Sequence, residues 1–285
     1  MSETNRVWYV TGASKGLGLS LVQKLVRAGY SVAATSRNKQ ELIQNLGSWY
    51  NADKVLALQV DLTSDESVEK SIKDTVAKFG TIDVIVNNAG YSLVGSIEAS
   101  SAEEVKKNFE VNVFAIFNVM RHALPILRAN KNPTRPRIMN ISSIGGLVGF
   151  QAFGVYSSTK FAVNGLSESL DSELAPFGIR CICVLPGYFR TSFLESGATT
   201  TKKTISEYTE VQKVVDNHLN VINNNQAGDP NKAAEVFIEL SKIPSPPKHF
   251  FMGSDSYSMA INAYKGANEE LLKWKDLSCS TDFPK

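Results

Sequence analysis

Val7-Trp8-Tyr9-Val10-Thr11-Gly12-Ala13-Ser14-Lys15-Gly16-Leu17-Gly18 runs from a short apolar, β-prone segment into a glycine-rich turn. Behind the turn, Leu17, Leu21 and Leu25 with Val22 and Val26 fall on one face of a helix. Gly12, Gly16 and Gly18 have the spacing GxxxGxG. Glycine tolerates positive φ and lets the backbone come close to a ligand. The helix start beyond it offers free N–H groups and a partial positive charge, which suit a pyrophosphate. Three glycines in a turn say little alone. A strand before them and a helix after them make a dinucleotide-binding signature. Gly12, Ser14, Lys15, Gly16, Leu17 and Gly18 are therefore candidate cofactor contacts. The GxxxxGK[ST] loop of nucleoside triphosphatases is absent.

Outward from this turn, Val/Ile-rich runs at 6–10, 31–35, 55–59, 82–87, 137–141, 180–185 and 249–252 alternate with helical patterns. The runs mostly do not alternate polar with apolar, as expected of strands covered on both faces. One helical stripe runs through Val105, Phe109, Val113, Ile116, Met120, Leu124 and Leu127, and another through Val163, Leu166, Leu170 and Leu174. This pattern predicts an α/β fold: a doubly wound, Rossmann-like parallel sheet of about seven strands. No linker divides the 285 residues, so a single domain is expected over 1–285. Residues 192–229 are polar and too long for an ordinary connection, which predicts a substrate lid with a helix near 205–222. Residues 254–285 form a C-terminal extension with one more helical pattern, and 129–136 reads as a surface loop.

Hydrophobic residues make up 43% and the formal net charge is +2, which excludes wholesale disorder and gives no pull towards nucleic acid or anionic membrane. No apolar run is long enough to span a membrane, and no leader is read at the N-terminus. Three cysteines make a poor disulfide framework and fit a reducing, cytoplasmic setting. Cys181 and Cys183 are expected as small buried hydrophobes on opposite faces of one strand. The three isolated histidines make no metal cluster.

Dinucleotide sites usually carry an acid at the end of the second strand for the ribose 2′-hydroxyl. Here Ser36 and Arg37 stand there. Nothing repels a 2′-phosphate, and Arg37, with Lys15 as a second cation, can bind one. NADP(H) is therefore expected over NAD(H).

Asn87-Asn88-Ala89-Gly90 at the end of the fourth long strand and Tyr156-Ser157-Ser158-Thr159-Lys160 at a helix start join TGASKGLG in order and spacing. Together they resemble the short-chain dehydrogenase/reductase superfamily, in its compact, NADP-preferring branch, over about residues 5–255. The resemblance implies a catalytic serine 13 residues before the tyrosine, which selects Ser143. It implies a catalytic asparagine in the long helix, Asn112, and an adenine-side acid at Asp61, beside Leu62. It places the cofactor against Asn88, Ala89 and Gly90, with its nicotinamide side at the turn of Pro186, Gly187, Phe189 and Thr191. Phe189 replaces the family's usual Val or Ile and is expected to narrow the site. The enoyl-reductase and nucleotide-sugar branches have spacings this chain lacks. The resemblance also implies a homodimer or homotetramer built on the helices at 102–127 and 155–177, whose stripes burial under the sheet explains equally well.

Tyr156 and Lys160 are four apart and share a helix face. An ammonium beside a phenol favours the phenolate, so Tyr156 is a candidate acid for carbonyl reduction and a base for alcohol oxidation. Ser143 would hold the substrate oxygen by a hydrogen bond. Lys160 would also bind the nicotinamide ribose, and Asn112 would anchor a relay water. These implications describe an oxidoreductase acting on CH–OH groups with NADP, a carbonyl reductase or alcohol dehydrogenase. The other reading is an NADP-sensing regulator without turnover, which the intact Ser143, Tyr156 and Lys160 set disfavours. The resemblance implies a pocket lined by Tyr91, Leu93, Leu147, Phe150, Phe153, Tyr188, Phe193 and Leu194, which suggests a bulky apolar carbonyl; core or subunit contacts explain several of these aromatics equally well. No cationic cluster is placed for an acyl-carrier or coenzyme A phosphate, though Lys202, Lys203 and Arg190 could bind one.

Overall fold

Trp8, Tyr9 and Val10 are wholly buried, yet neighbouring side chains on a strand point to opposite faces, so this strand is covered on both sides. The computed structural model describes residues 6–130 and 136–283, and shows how. Seven strands lie parallel: β1 (Val7–Val10), β2 (Ser31–Ser36), β3 (Val55–Gln59), β4 (Val84–Asn87), β6 (Arg137–Ile141), β7 (Arg180–Pro186) and β9 (His249–Met252). Their order is β3-β2-β1-β4-β6-β7-β9. Trp8 and Val10 join a core with α1 (Gly16–Arg27), α2 (Lys39–Leu46) and α9 (Pro230–Lys242). Tyr9 joins a second core with α3 (Asp65–Phe79), α5 (Ala115–Ala129) and α6 (Gly154–Leu174). The molecule is thus a helix–sheet–helix sandwich in a single Rossmann-like domain, as the alternation of runs predicts.

Cys181 and Cys183 correct one expectation. Residues two apart on a strand share a face, so both thiols point towards α6, and Ile182 between them faces the other core. The α6–β7 contact is also fixed by a bidentate pair in which Arg180 donates to Asp171 at 2.7 and 2.9 Å.

Three further differences sit near the C-terminal ends of the strands. First, the helix expected at 102–127 is two helices, α4 (Ala102–Phe109) and α5, joined by a π-turn at Glu110–Phe114. The apolar stripe runs through the join, so periodicity hides it. Second, β5 (Ser92–Val94) and β8 (Ala198–Thr200) pair as a small parallel sheet. Each has three residues, too few to give a periodic signal. Third, the helix expected at 205–222 is shorter. It comprises α8 (Thr209–Asn217) and a π-turn at His218–Ile222, preceded in this segment by α7 (Phe193–Ser196). Most of the loop expected at 129–136 lies outside the described residues. The C-terminal extension forms α10 (Ser254–Lys273) and α11 (Lys275–Cys279). Among the described residues, no helix is long and apolar enough to cross a membrane.

Candidate active site

The strand order reverses between β1 and β4, and a crevice opens there beyond the strands' C-terminal ends. It is a cavity of about 920 Å³, the size of a small-molecule site. One end is built on the glycine turn. Gly12 and Gly16 adopt φ of 63° and 55°, values that favour glycine. A side chain at Gly18 would meet the Gly12 carbonyl at 2.4 Å, so only glycine lets α1 start this close to β1. No side chain caps α1 and no acid stands in its first turn, which leaves its N–H groups for an anion. Asn88 and Ala89 hold the turn from beneath. The Asn88 amide donates to the carbonyls of Thr11 and Gly12, both at 3.0 Å. The Thr11 hydroxyl accepts from the N–H groups of Asn88 and Ala89.

Gly12, Ser14, Lys15, Gly16, Leu17, Arg37, Asp61 and Leu62 all line this end of the cavity. Gly18 does not, because it is buried beneath the turn. Arg37 is exposed at the end of β2. Lys15 is already paired with Glu41 at 3.0 Å, so its role as second cation requires exchanging that partner. The pair is largely solvent-exposed, and such pairs are worth only about 0–1 kcal/mol. Asp61 turns one carboxylate oxygen back on Thr63, accepting from its N–H and hydroxyl at 3.0 and 2.7 Å. Asn38, which caps α2, and Glu41 also line this end; single-sequence spacing does not separate them from ordinary helix-start residues.

At the other end, α6 delivers Tyr156 and Lys160 one turn apart, and Ser143 enters just after β6. All three line the cavity. The Ser143 hydroxyl interacts with the Tyr156 phenol and partly offsets the effect of burial on it. Neighbouring Ser142 is turned inward, donating to the Lys160 carbonyl at 3.0 Å, and is structural. The Lys160 ammonium lies 5.6 Å from the Tyr156 ring centre and donates to the Ile141 carbonyl at 2.8 Å. Here the expected electrostatics are corrected. Burial pushes the Tyr156 phenol up to about 12 and holds Lys160 down at about 8. The ammonium does not lower the phenol in the protein alone, because loss of water disfavours both charged forms.

Asn112 sits in the π-turn between α4 and α5. Its side chain accepts from the Tyr91 N–H at 3.0 Å and donates to the Tyr91 carbonyl and the Thr159 hydroxyl. Asn108, one turn earlier, donates to the same Tyr91 carbonyl. The two amides clamp the chain leaving β4. A Cβ at Gly90 would lie 3.1 Å from Asn112 Oδ1 and 3.5 Å from Lys160 Nζ, so these two polar atoms flank one spot beside that glycine.

The turn after β7 closes the cavity. Phe189 makes a parallel bridge with Gly228, through Gly228 N–H to the Tyr188 carbonyl and Arg190 N–H to the Gly228 carbonyl. The Phe189 N–H and carbonyl therefore point away from that bridge. Its ring packs on Gly228 and the core. Gly187 is pressed against Asp255 at the start of α10, where a Cβ would meet the carboxylate at 2.1 Å. Asp255 also accepts from the Tyr188 N–H at 2.7 Å. Asp255 was not among the expected residues, since nothing in its local sequence points to the site. Thr191 reaches across to Gly16. Pro186, Gly187, Phe189, Thr191, Asn88, Ala89 and Gly90 all line the cavity.

Tyr91, Leu93, Phe150, Phe153, Tyr188, Phe193 and Leu194 line it as expected, and Leu147 does not. Leu147 ends the short 3₁₀ turn at Ile144–Gly146, and that turn carries it off the cavity wall. Lys202 lines the cavity, whereas Lys203 does not and Arg190 donates instead to the Gln226 carbonyl. His218 and Gln226, both from the 192–229 segment, are additions.

The family model described as short chain dehydrogenase matches residues 6–202, which carry the glycine turn and the Ser143, Tyr156 and Lys160 set. The chain belongs to the short-chain dehydrogenase family. Within this family of oxidoreductases, Oxidoreductase BOA17 of Botryotinia fuckeliana is 31% identical over 277 residues, 97% of this chain and 99% of that protein. A short-chain dehydrogenase from Streptomyces avermitilis superposes with a TM-score of 0.88 at 34% identity, covering 98% of this chain and 99% of that one. ElxO, solved with NADP bound, superposes with a TM-score of 0.70 at 28% identity, covering 86% and 95% of the two chains.

Proposed function

We propose that this short-chain dehydrogenase interconverts a carbonyl and an alcohol with NADP(H), on a bulky apolar substrate. The observation that carries this reading is the convergence of Ser143, Tyr156 and Lys160 at one end of a cavity whose other end is an uncapped helix N-terminus. The residues fit NADP. The glycine turn can take the pyrophosphate, and no acid stands at the end of β2 to repel a 2′-phosphate beside Arg37. ElxO, which binds NADP, supports the same choice. When bound, the nicotinamide supplies the hydride exchange.

The chain's own residues handle the proton and the substrate. Tyr156, pushed up to about 12 by burial, is protonated at neutral pH and is the acid for carbonyl reduction. Ser143 donates to the carbonyl oxygen and holds it near the phenol. Lys160 binds the cofactor ribose and passes protons towards Asn112. The spot beside Gly90, flanked by Asn112 Oδ1 and Lys160 Nζ, is where a relay water would bridge them. Leu93, Phe150, Phe153, Phe193 and Leu194 give the substrate end an apolar wall. The 192–229 segment supplies two of these and acts as a lid.

NADPH oxidation across small, aromatic, long-chain and steroid-like carbonyls tests the reading. Turnover of bulky apolar members is the expected outcome. Tyr156→Phe should then lose turnover by about 10²–10⁴-fold while NADPH affinity is kept. A fully active variant would remove Tyr156 as the acid. NADPH binding with no turnover on any carbonyl would favour the regulator.

A further inference from the structure

The cavity's apolar end has a polar pair that proton transfer does not use. The Tyr188 hydroxyl lies 2.8 Å from Nε2 of His218, and Nδ1 of the same ring lies 2.8 Å from the Val214 carbonyl. A carbonyl only accepts, so Nδ1 carries a proton. In the neutral ring Nε2 is then an acceptor, and the Tyr188 O–H must donate to it. The phenol proton is committed, and what Tyr188 offers the cavity is its oxygen lone pairs.

The pair is held firmly. The His218 ring packs 4.7 Å from that of Phe153, which in turn stands 6.5 Å from Tyr156. The Tyr188 backbone N–H is fixed by Asp255. Tyr188 and Tyr156 line the same cavity, so both phenols serve one chamber. A second acceptor lines the same cavity: Gln226 is 3% exposed, and its Oε1 has no hydrogen-bond partner.

We propose that Tyr188, oriented by His218, is a specificity-determining acceptor for a substrate that carries a hydroxyl or N–H donor apart from its reacting carbonyl. This rests on the carbonyl-reductase reading only for which end of the substrate faces Tyr156. A site built to hydrogen-bond a donor discriminates strongly against an analogue that lacks it.

The test measures binding, so it does not depend on turnover. Acetophenone and its 2-, 3- and 4-hydroxy isomers are titrated by calorimetry into the wild-type protein, with saturating NADP⁺ and without it. The oxidised cofactor cannot reduce a ketone. At least one isomer should bind about fivefold or more tightly than acetophenone, the worth of one net hydrogen bond. Tyr188→Phe keeps the ring and should abolish that advantage. His218→Phe keeps the packing on Phe153 and frees the phenol proton, so the matching methoxy ketone should gain on the hydroxy one. Thermal unfolding checks that both variants fold. Equal affinities, no measurable binding of any isomer, or an advantage that survives Tyr188→Phe each overturn the proposal. A hydroxyl advantage without turnover of any carbonyl would instead overturn the reductase reading and leave this one standing.

Discussion

Arg37 is the residue on which the proposed 2′-phosphate contact turns. It follows β2 where a carboxylate would otherwise hold a ribose hydroxyl, and it is exposed at the edge of the cavity. Arg37→Asp should weaken NADPH binding about tenfold or more, since charge-assisted hydrogen bonds contribute about 1.5–3 kcal/mol, and should improve NADH relative to NADPH. Fluorescence titration of both cofactors checks it, and an unchanged NADPH affinity would remove Arg37 from the site. Lys15 is the instructive contrast. Its place in the glycine turn is legible, but its pairing with Glu41 depends on where α2 packs.

At the scale of elements, the C-terminal extension reaches back into the site. Asp255, in the first turn of α10, accepts from the Tyr188 N–H and fills the space that the missing side chain of Gly187 leaves. The Ser256 hydroxyl donates to the Leu185 carbonyl at 2.7 Å, adding a second tie. Asp255→Ala should cost about 1–3 kcal/mol of stability by leaving a partly buried N–H without its partner. It should also raise the KM for NADPH, because the loosened turn carries Gly187 and Phe189. Steady-state kinetics with chemical unfolding checks both. A stability loss with unchanged KM would confine Asp255 to a structural role. The order of strands and helices that frames this contact was legible from Val/Ile-rich runs. The contact itself was not, because about 70 residues separate its partners and no local pattern couples them.

At the scale of the whole molecule, burial rather than pairing governs the charges of the site. Lys160 ionises at about 8 in the folded protein and near its ordinary value of about 10.4 when unfolded. Between these values the unfolded chain holds the extra proton, so stability attributable to Lys160 rises with pH across that window. The full effect is on the order of 3 kcal/mol. Urea unfolding of the wild type and of Lys160→Met at pH 7.5 and 9.5 measures it. The wild type should gain on the variant at the higher pH, and parallel behaviour of the two would show that Lys160 is not desolvated. Tyr156 acts in the opposite sense. Its folded value of about 12 exceeds the unfolded one of about 10, so its contribution is lost only as pH rises above about 10.

What the sequence determined by itself is what short-range pattern encodes. The seven strands follow from apolar runs, the turn that favours a phosphate from glycine spacing, and the shared face of Tyr156 and Lys160 from a separation of four. What only the tertiary structure decided depends on neighbours brought in from far along the chain. The π-turn that carries Asn112, one turn after Asn108, to Tyr91 hides beneath an unbroken apolar stripe. The pairing of β5 with β8 joins two three-residue strands about 100 residues apart. The loss of water that moves Tyr156 and Lys160 away from their ordinary ionisation arises only once the surrounding chain has enclosed them. Spacing tells which side chains can meet; packing sets the medium in which they meet, and with it their charge.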